Sequence, residues 1–267
     1  LDLLFVLVCN WGVGGAAGAT VIAQFVSGLG IAGYAFIRCQ NLRPSRSDLH
    51  WDSHILREIG SLSILTCVQQ SVMNFGILMV QGLVNSFGPV IMAAFAAAVK
   101  IDSFAYMPVQ DFGNAFSTFV AQNYGAGKEE RIRAGIRKAV QLTFLFCIAV
   151  SAAVVLFARP LMLIFVQPQE TEILAEGVRY LQVVGLFYWG IGCLFLLYGF
   201  YRAVKRPGMS VVLTVISLGM RVLLAYLLSA YIGVIGIWVA IPVGWVLADM
   251  AGLLYYRCHK RELMKVE

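Results

Sequence analysis

Charged residues are scarce in this sequence. Only 13% of its 267 residues are charged and 60% are apolar, whereas a soluble domain carries about 25% charged residues. This shortage excludes a water-soluble globular domain. Because the mean hydropathy is +0.81, we expect almost the whole chain to lie in a lipid bilayer.

Short segments of alternating polar and apolar residues, which are typical of membrane β-barrels, are not prominent. Most apolar segments have about twenty residues or more, the length that a helix needs to cross a bilayer. They lie at about 1–9, 13–37, 59–83, 88–122, 139–158, 180–200, 209–231 and 234–256. The sequence therefore predicts an all-α polytopic membrane helix bundle with seven full spans and one partial span. A seven-helix receptor is one alternative interpretation of this number.

Motifs for catalysis, metal binding and disulfide formation are also missing. The six cysteines form no CxxC pair, and neither the HExxH metal motif nor the GxSxG nucleophile motif occurs. The three histidines, His50, His54 and His259, lie outside the apolar segments. We therefore expect neither an enzyme nor a bound cofactor, and we interpret the cysteines as packing residues.

The 20 basic residues are distributed unevenly between the connections. Four lie at 38–57, five at 128–138, three at 202–206 and four after residue 256, whereas the alternate connections hold only Arg159 and Arg179. Because cytoplasmic loops of membrane proteins are rich in Lys and Arg, this asymmetry predicts a cytoplasmic C-terminus. The net charge of +6 is then a feature of topology, and we expect no nucleic-acid partner.

The first and last hairpins of the chain are similar in sequence. At an offset of 221 residues, Leu3, Gly12, Val13, Gly15, Ala19 and Tyr34 match Leu224, Gly233, Val234, Gly236, Ala240 and Tyr255. Since four further spans precede the second copy, we expect four to precede the first copy as well. The sequence thus predicts the C-terminal part of a two-lobe transporter built from repeats, truncated at its N-terminus.

The repeat also predicts how the chain is divided. The predicted parts are the last hairpin of an N-terminal lobe (1–38), a basic cytoplasmic inter-lobe linker (39–58), a six-helix C-terminal lobe (59–256) and a cytoplasmic tail (257–267). The missing N-terminal helices would then be the partner of this chain within one protein.

Several predicted spans contain polar or ionisable residues. The candidates for lining a cavity or carrying a proton are Asp111, Asn114, Thr118, Gln70, Asn74, Lys100 and Arg221. Asn114 and Thr118 follow Asp111 by three and seven residues, which places them on one helix face. Hydrogen bonds between helices, worth about 0.6–2 kcal/mol each, explain the amides and hydroxyls without any ligand. A carboxylate in mid-span instead points to proton or cation binding.

Asp2 and Thr20 form a second candidate site. If residues 1–37 fold as a hairpin around the turn at 10–12, the two side chains lie at the same depth in the membrane. A carboxylate and a hydroxyl are oxygen ligands suited to Na⁺ or to a carboxyl that carries a proton. The alternative is that Asp2 lies at a frayed terminus and that Thr20 bonds its own helix backbone.

Residues 112–127 carry a family resemblance. They read FGNAFSTFVAQNYGAG and are followed by KEER, which resembles the signature of MATE (multidrug and toxic compound extrusion) transporters at the end of their eighth helix. The segments at 1–5, 12–20 and 85–89 also resemble that family, in its DinF-like bacterial and archaeal branch. The residues expected to form a structural hinge between two helices are Gln122, Asn123, Gly125 and Gly127.

The resemblance implies twelve helices in two lobes and a secondary antiporter of a prokaryotic cytoplasmic membrane. Its substrates would be small organic, often cationic, drugs or toxins, exported in exchange for Na⁺ or H⁺. Asp2 and Thr20 match two positions of the cation site of this branch, whose other ligands fall outside the chain. Another branch has a glutamate on its seventh helix, where this sequence has Gln69 and Gln70. A flippase of the same superfamily that moves lipid-linked precursors is the alternative function.

Overall fold

The computed structural model describes Leu1, residues 4–38 and residues 52–263. A π-helical turn, Leu4–Val8, is followed by nine α-helices within these ranges. They are α1 (Gly12–Arg38), α2 (Ser53–Asn85), α3 (Pro89–Gly125), α4 (Glu129–Leu156), α5 (Ala158–Met162), α6 (Thr171–Gly185), α7 (Tyr188–Ala203), α8 (Pro207–Ile232) and α9 (Val234–Leu263). The all-α prediction is confirmed.

The chain forms two compact units, Leu1–Arg57 and Glu58–Glu267. In the first unit, the π-helical turn packs on the start of α1. Gly12 takes a left-handed conformation with φ of 57°, and a Cβ on Gly15 would lie 3.1 Å from the backbone of Phe5. Small residues at this turn therefore let the two helical segments approach closely. Most of the predicted linker, residues 39–51, lies outside the described residues.

The hairpin of α8 and α9 in the second unit uses the same glycine arrangement. Gly233 has φ of 65°, and a Cβ on Gly236 would lie 2.7 Å from the carbonyl oxygen of Leu228. Gly233 and Gly236 are the partners of Gly12 and Gly15 in the sequence repeat. The two hairpins thus share a left-handed turn and a close helix approach as well as their sequence.

The second unit is a helix bundle built around α3, α7 and α9. Helix α3 packs against α6 and α7, while α9 packs mainly against α8 and also against α6 and α7. The largest fully buried side chains include Tyr180, Tyr201 and Trp238. The Tyr201 hydroxyl donates a hydrogen bond of 2.7 Å to the carbonyl oxygen of Gly252, which links α7 to α9 within the core.

In the part of the chain that the structure describes, six helices are long and apolar enough to cross a membrane, and α6 with α7 makes a seventh span if this bent pair counts as one. This confirms the prediction of a polytopic bundle. The span predicted at 180–200 falls on two helices, α6 and α7, which meet at an angle of 52°. At the bend, the amide of Phe187 bonds to Val184 and that of Gly190 bonds to Phe187. These three-residue turns interrupt the α-helical hydrogen bonding.

Candidate functional site

A buried carboxyl group lies at the centre of the second unit. Asp102 of α3 is only 7% exposed, and the Tyr180 hydroxyl of α6 donates a hydrogen bond of 3.2 Å to its Oδ2. Its Oδ1 has no hydrogen-bond partner among the described residues. Since burying an unpaired carboxylate is costly, such a group is a candidate for proton or ligand binding.

Two further polar side chains lie close enough to Asp102 to interact with it electrostatically, Tyr188 of α7 and Arg221 of α8. The Tyr188 hydroxyl and the Arg221 Nε are buried and have no hydrogen-bond partner in the described part of the chain. Within the described part of the chain, the only ion pairs within 4.0 Å are Glu129 with Arg133 and Glu176 with Arg179. Four helices thus bring together unpaired donors and an unpaired acceptor, an arrangement suited to a polar ligand or ordered water.

Three aromatic rings form one wall of this charged centre. Phe95 stacks on Trp238 with ring centroids 5.5 Å apart, and Tyr180 meets Trp238 edge-on at 5.0 Å. Phe95 and Tyr180 also meet edge-on, at 5.6 Å. These contacts restrict the Tyr180 ring, so its hydroxyl is held towards Asp102.

A second buried carboxyl group, Asp249 of α9, is 5% exposed. Neither of its carboxylate oxygens has a hydrogen-bond partner among the described residues. Asp249 lies in the helix that follows α8, so Arg221 of α8 is a basic residue that could be its counter-charge. In the structure Arg221 interacts with Asp102 instead.

Asp102 is not among the residues predicted for a site from the sequence, whereas Asp111 is. The two residues are nine positions apart in α3, or about two and a half helical turns, so they lie on opposite faces. Asp102 belongs to the same buried face as Ala94, Ala98 and Ile101. An acidic residue within a helical stripe of small apolar residues was the signal that could have identified it.

The predicted polar face of α3 lies outside the core of the second unit. Lys100, Asp111, Asn114, Thr118 and Gln122 are all exposed. Arg202 of α7 donates a hydrogen bond of 3.0 Å to Oδ1 of Asn114, and the Thr118 hydroxyl donates to the backbone carbonyl of Asn114. The structure therefore brings Asn114 together with Arg202, while Asp111 has no hydrogen bond or ion pair to a described residue.

The amides predicted on α2 are divided between two faces. Gln69 is buried, whereas Gln70 and Asn74 are exposed. The Gly76 position, two residues beyond Asn74, faces Leu218 of α8, since a Cβ there would lie 3.1 Å from the Leu218 Cβ. The polar and the packed faces of α2 are therefore different.

Thr20 in the first unit lines an open groove of about 470 Å³ together with Leu1, Ala19, Ala23, Gln24 and Ser27. Its hydroxyl donates a hydrogen bond of 3.0 Å to the carbonyl oxygen of Ala16, one turn earlier in α1. The hydroxyl oxygen keeps lone pairs that a cation can coordinate. Asp2, its predicted partner, lies outside the described residues.

The predicted hinge residues lie in the last turn of α3 and in its connection to α4. Helix α3 ends at Gly125 and α4 begins at Glu129. Gly127 has φ of 65°, and the Lys128 amide bonds to the carbonyl oxygen of Asn123 at 2.9 Å. The Asn123 side chain in turn donates to the carbonyl oxygen of Phe119. These bonds satisfy backbone carbonyls at the end of α3, as expected for a left-handed helix terminus.

Comparison with known proteins identifies the family. The sequence model of the MatE family matches residues 63–227. The probable multidrug resistance protein YpnP of Bacillus subtilis (strain 168) is 30% identical over 266 residues, which cover 98% of this chain and 58% of that protein. The probable multidrug resistance protein NorM of Thermotoga maritima is 27% identical over 257 residues, covering 94% of this chain and 54% of that protein.

Solved structures show the same fold. An outward-facing multidrug resistance MATE family transporter of the MOP superfamily matches with a TM-score of 0.90 at 23% identity, covering 99% of this chain and 60% of that one. The chain therefore spans about half to three-fifths of the length of the relatives it matches. Because the family match covers more than half of a polytopic helix bundle that these structures share, the chain belongs to the MATE family of membrane transporters.

Proposed function

We propose that this chain is part of a secondary antiporter that exports small organic, often cationic, compounds in exchange for Na⁺ or H⁺. The observation that carries the proposal is the charged centre of Asp102, Tyr180 and Arg221, which is buried between candidate membrane spans. Ionisable groups in such positions are costly and mark ion or substrate pathways. Relatives named as probable multidrug resistance proteins support the substrate class.

The bend between α6 and α7 suggests how this centre takes part in transport. Tyr180 precedes the bend and Tyr188 follows it, and both interact with Asp102. A change in the bend angle would therefore change the surroundings of the carboxyl group. We infer that cation binding and helix bending are coupled here, as alternating access requires a conformational equilibrium that the bound ion shifts.

An apolar cleft of about 290 Å³ adjoins the bend. Val183 and Phe187 line it on one side, and Val239, Pro242 and Val243 of α9 line it on the other. Pro242 lacks an amide donor, so α9 has one backbone hydrogen bond fewer at this level. The cleft gives α9 and the bent pair of α6 and α7 room to move relative to each other.

We also propose the predicted cation site at Asp2 and Thr20, in the manner of the DinF-like branch, and a substrate path along the polar face of α3 at Asp111, Asn114 and Thr118. The groove beside Thr20 supports the first assignment, and the exposure of these α3 side chains supports the second. The predicted hinge at 122–127 would then let α3 and α4 move relative to each other.

Ethidium efflux tests the proposed function. The protein is expressed from its complete reading frame in bacteria that lack their main efflux pumps, and ethidium loss is followed under imposed Na⁺ and H⁺ gradients. We expect gradient-driven efflux for the natural sequence and background efflux for Asp2→Asn. Asp52→Asn is the matched control, because Asp52 is exposed and an Asn can still accept the His54 amide bond.

Two results would contradict these assignments. Efflux that does not respond to either gradient would overturn the antiporter. Undiminished efflux by Asp2→Asn would remove Asp2 from the coupling mechanism while leaving transport itself intact.

A further inference from the structure

The carboxyl group of Asp249 is enclosed by α7, α8 and α9. A Cβ on Gly190 of α7 would lie 3.7 Å from its Oδ2 and 3.5 Å from the Cβ of Trp245, so the missing side chain at Gly190 makes space for the carboxyl. Cys193 and Tyr198 of α7 interact with Asp249 electrostatically. The carboxyl therefore faces the backbone of α7 rather than lipid.

No cation faces Asp249 in the described part of the chain. Helix α9 packs against α6, α7 and α8. From α7 the titratable groups that face Asp249 are Cys193 and Tyr198, both neutral in their ordinary state. Helix α8 contributes the uncharged Thr214, whereas its Arg221, like Tyr180 of α6, interacts with Asp102.

The hydroxyl groups nearby are already engaged. Thr214 donates a hydrogen bond of 2.9 Å to the carbonyl oxygen of Ser210, and the Tyr198 side chain interacts with Thr214. Ser210 itself donates to the carbonyl oxygen of Tyr198. Since neither a second carboxylate that interacts with Asp249 nor a group of three metal-ligating side chains is found among the described residues, they do not form the shell of several oxygen ligands that a metal cation needs. A proton needs no such shell.

We propose that Asp249 is a proton-binding site of the second unit, separate from the Asp102 centre and from the Asp2 and Thr20 site. The carboxyl holds a proton while α7 and α9 pack together, and it exchanges that proton when the two helices separate. Only the second half of this proposal, exchange during transport, rests on the proposed function.

Infrared spectroscopy of the full protein in lipid nanodiscs tests the first half without a transport assay. A protonated carboxyl group has a C=O stretching band that an ionised carboxylate lacks. The spectrum of Asp249→Asn is subtracted from that of the natural protein. We expect this difference spectrum to contain the C=O band at neutral pH and to lose it reversibly when the pH is raised. Asp52→Asn is the matched control, because it makes the same chemical change at an exposed aspartate that is not enclosed between helices.

The outcomes separate the alternatives. Absence of the band from the difference spectrum would overturn the proposal. Loss of the band on adding NaCl, but not choline chloride, at constant pH would show that the carboxyl takes Na⁺, which also overturns it. If Asp249→Asn fails to fold, Asp249→Glu serves instead: the band must move to a different frequency, and an unmoved band would assign it to another residue.

Transport is measured separately. If the band is present but Asp249→Asn exports ethidium under a proton gradient as well as the natural protein does, the proton site stands and its exchange during transport is overturned. If the natural protein exports nothing, the proposed function fails while the spectroscopic result keeps its meaning.

Discussion

At the scale of single residues, the charged centre depends on one hydrogen bond between two helices. The Tyr180 hydroxyl of α6 donates a hydrogen bond of 3.2 Å to Oδ2 of Asp102 in α3. Its ring is held by Phe95 and Trp238. The position of the carboxyl is therefore set by aromatic packing on α6 and α9 as much as by α3 itself.

Tyr180→Phe should destabilise the protein. It removes the donor but keeps the ring contacts, so Oδ2 of the buried Asp102 carboxyl loses its hydrogen bond and, like Oδ1, has no described partner, at a cost of about 1–3 kcal/mol. Thermal unfolding in detergent, followed by tryptophan fluorescence, measures the change. Tyr226→Phe is the control, because Tyr226 is exposed on α8. Equal melting temperatures for the two variants would contradict the role of this hydrogen bond.

At the scale of helices, glycines decide which pairs approach closely. A Cβ on Gly199 of α7 would lie 2.6 Å from the carbonyl oxygen of Gly113 in α3, and a Cβ on Gly113 would lie 3.0 Å from the carbonyl oxygen of Phe195. Small residues at such crossings let helix backbones meet, which is how membrane helices gain packing contacts. This crossing holds α7 against α3 on the C-terminal side of the bend.

Gly199→Ala tests this crossing. The added methyl group meets a backbone oxygen that has no free space to move into, so we expect destabilisation of about 1–3 kcal/mol. Gly219→Ala in α8 is the matched control, because a Cβ there meets nothing within 4 Å. Since Ala favours helices over Gly by about 0.5–1 kcal/mol, the control should be neutral or slightly more stable. Unfolding in detergent compares the two, and a Gly199→Ala variant as stable as the control would refute the close approach.

At the scale of the whole molecule, most of the basic residues in the described part of the second unit lie at one end of the helices. The connection from α3 to α4 carries Lys128, the connection from α7 to α8 carries Arg206, and α9 ends with Arg257 and Lys260. Arg133 near the start of α4 interacts with Tyr256 near the end of α9, which places these ends close together. We propose, from the positive-inside rule, that this end is cytoplasmic.

Cysteine labelling in whole cells tests the orientation. In a variant whose only cysteine is the exposed Cys258, a membrane-impermeant maleimide should react only after the cells are permeabilised. In a cysteine-free variant carrying Tyr231→Cys, at the opposite end of α8, the reagent should react with intact cells, because Tyr231 is 86% exposed. Labelling of Cys258 in intact cells would reverse the proposed topology.

The sequence by itself determined the helical membrane fold and the family. Long apolar segments and few charges leave a chain in lipid no way to satisfy its backbone other than helices, so the number of spans follows from composition and length. The motif at 112–127 and its glycine ending mark the family and the end of α3 because both are local in sequence.

Only the tertiary structure decided which polar residues share a buried site. Asp102, Tyr180, Tyr188 and Arg221 come from four helices, and no spacing in the sequence reports which faces those helices turn towards one another. Asp111 looked equally promising as a mid-span carboxyl, yet it lies on the exposed face of α3. The sequence also did not predict the bend at Leu186 and Phe187, because no proline occupies it. The helices α6 and α7 on either side of the bend pack against α3 and α9, and this packing sets the bend angle.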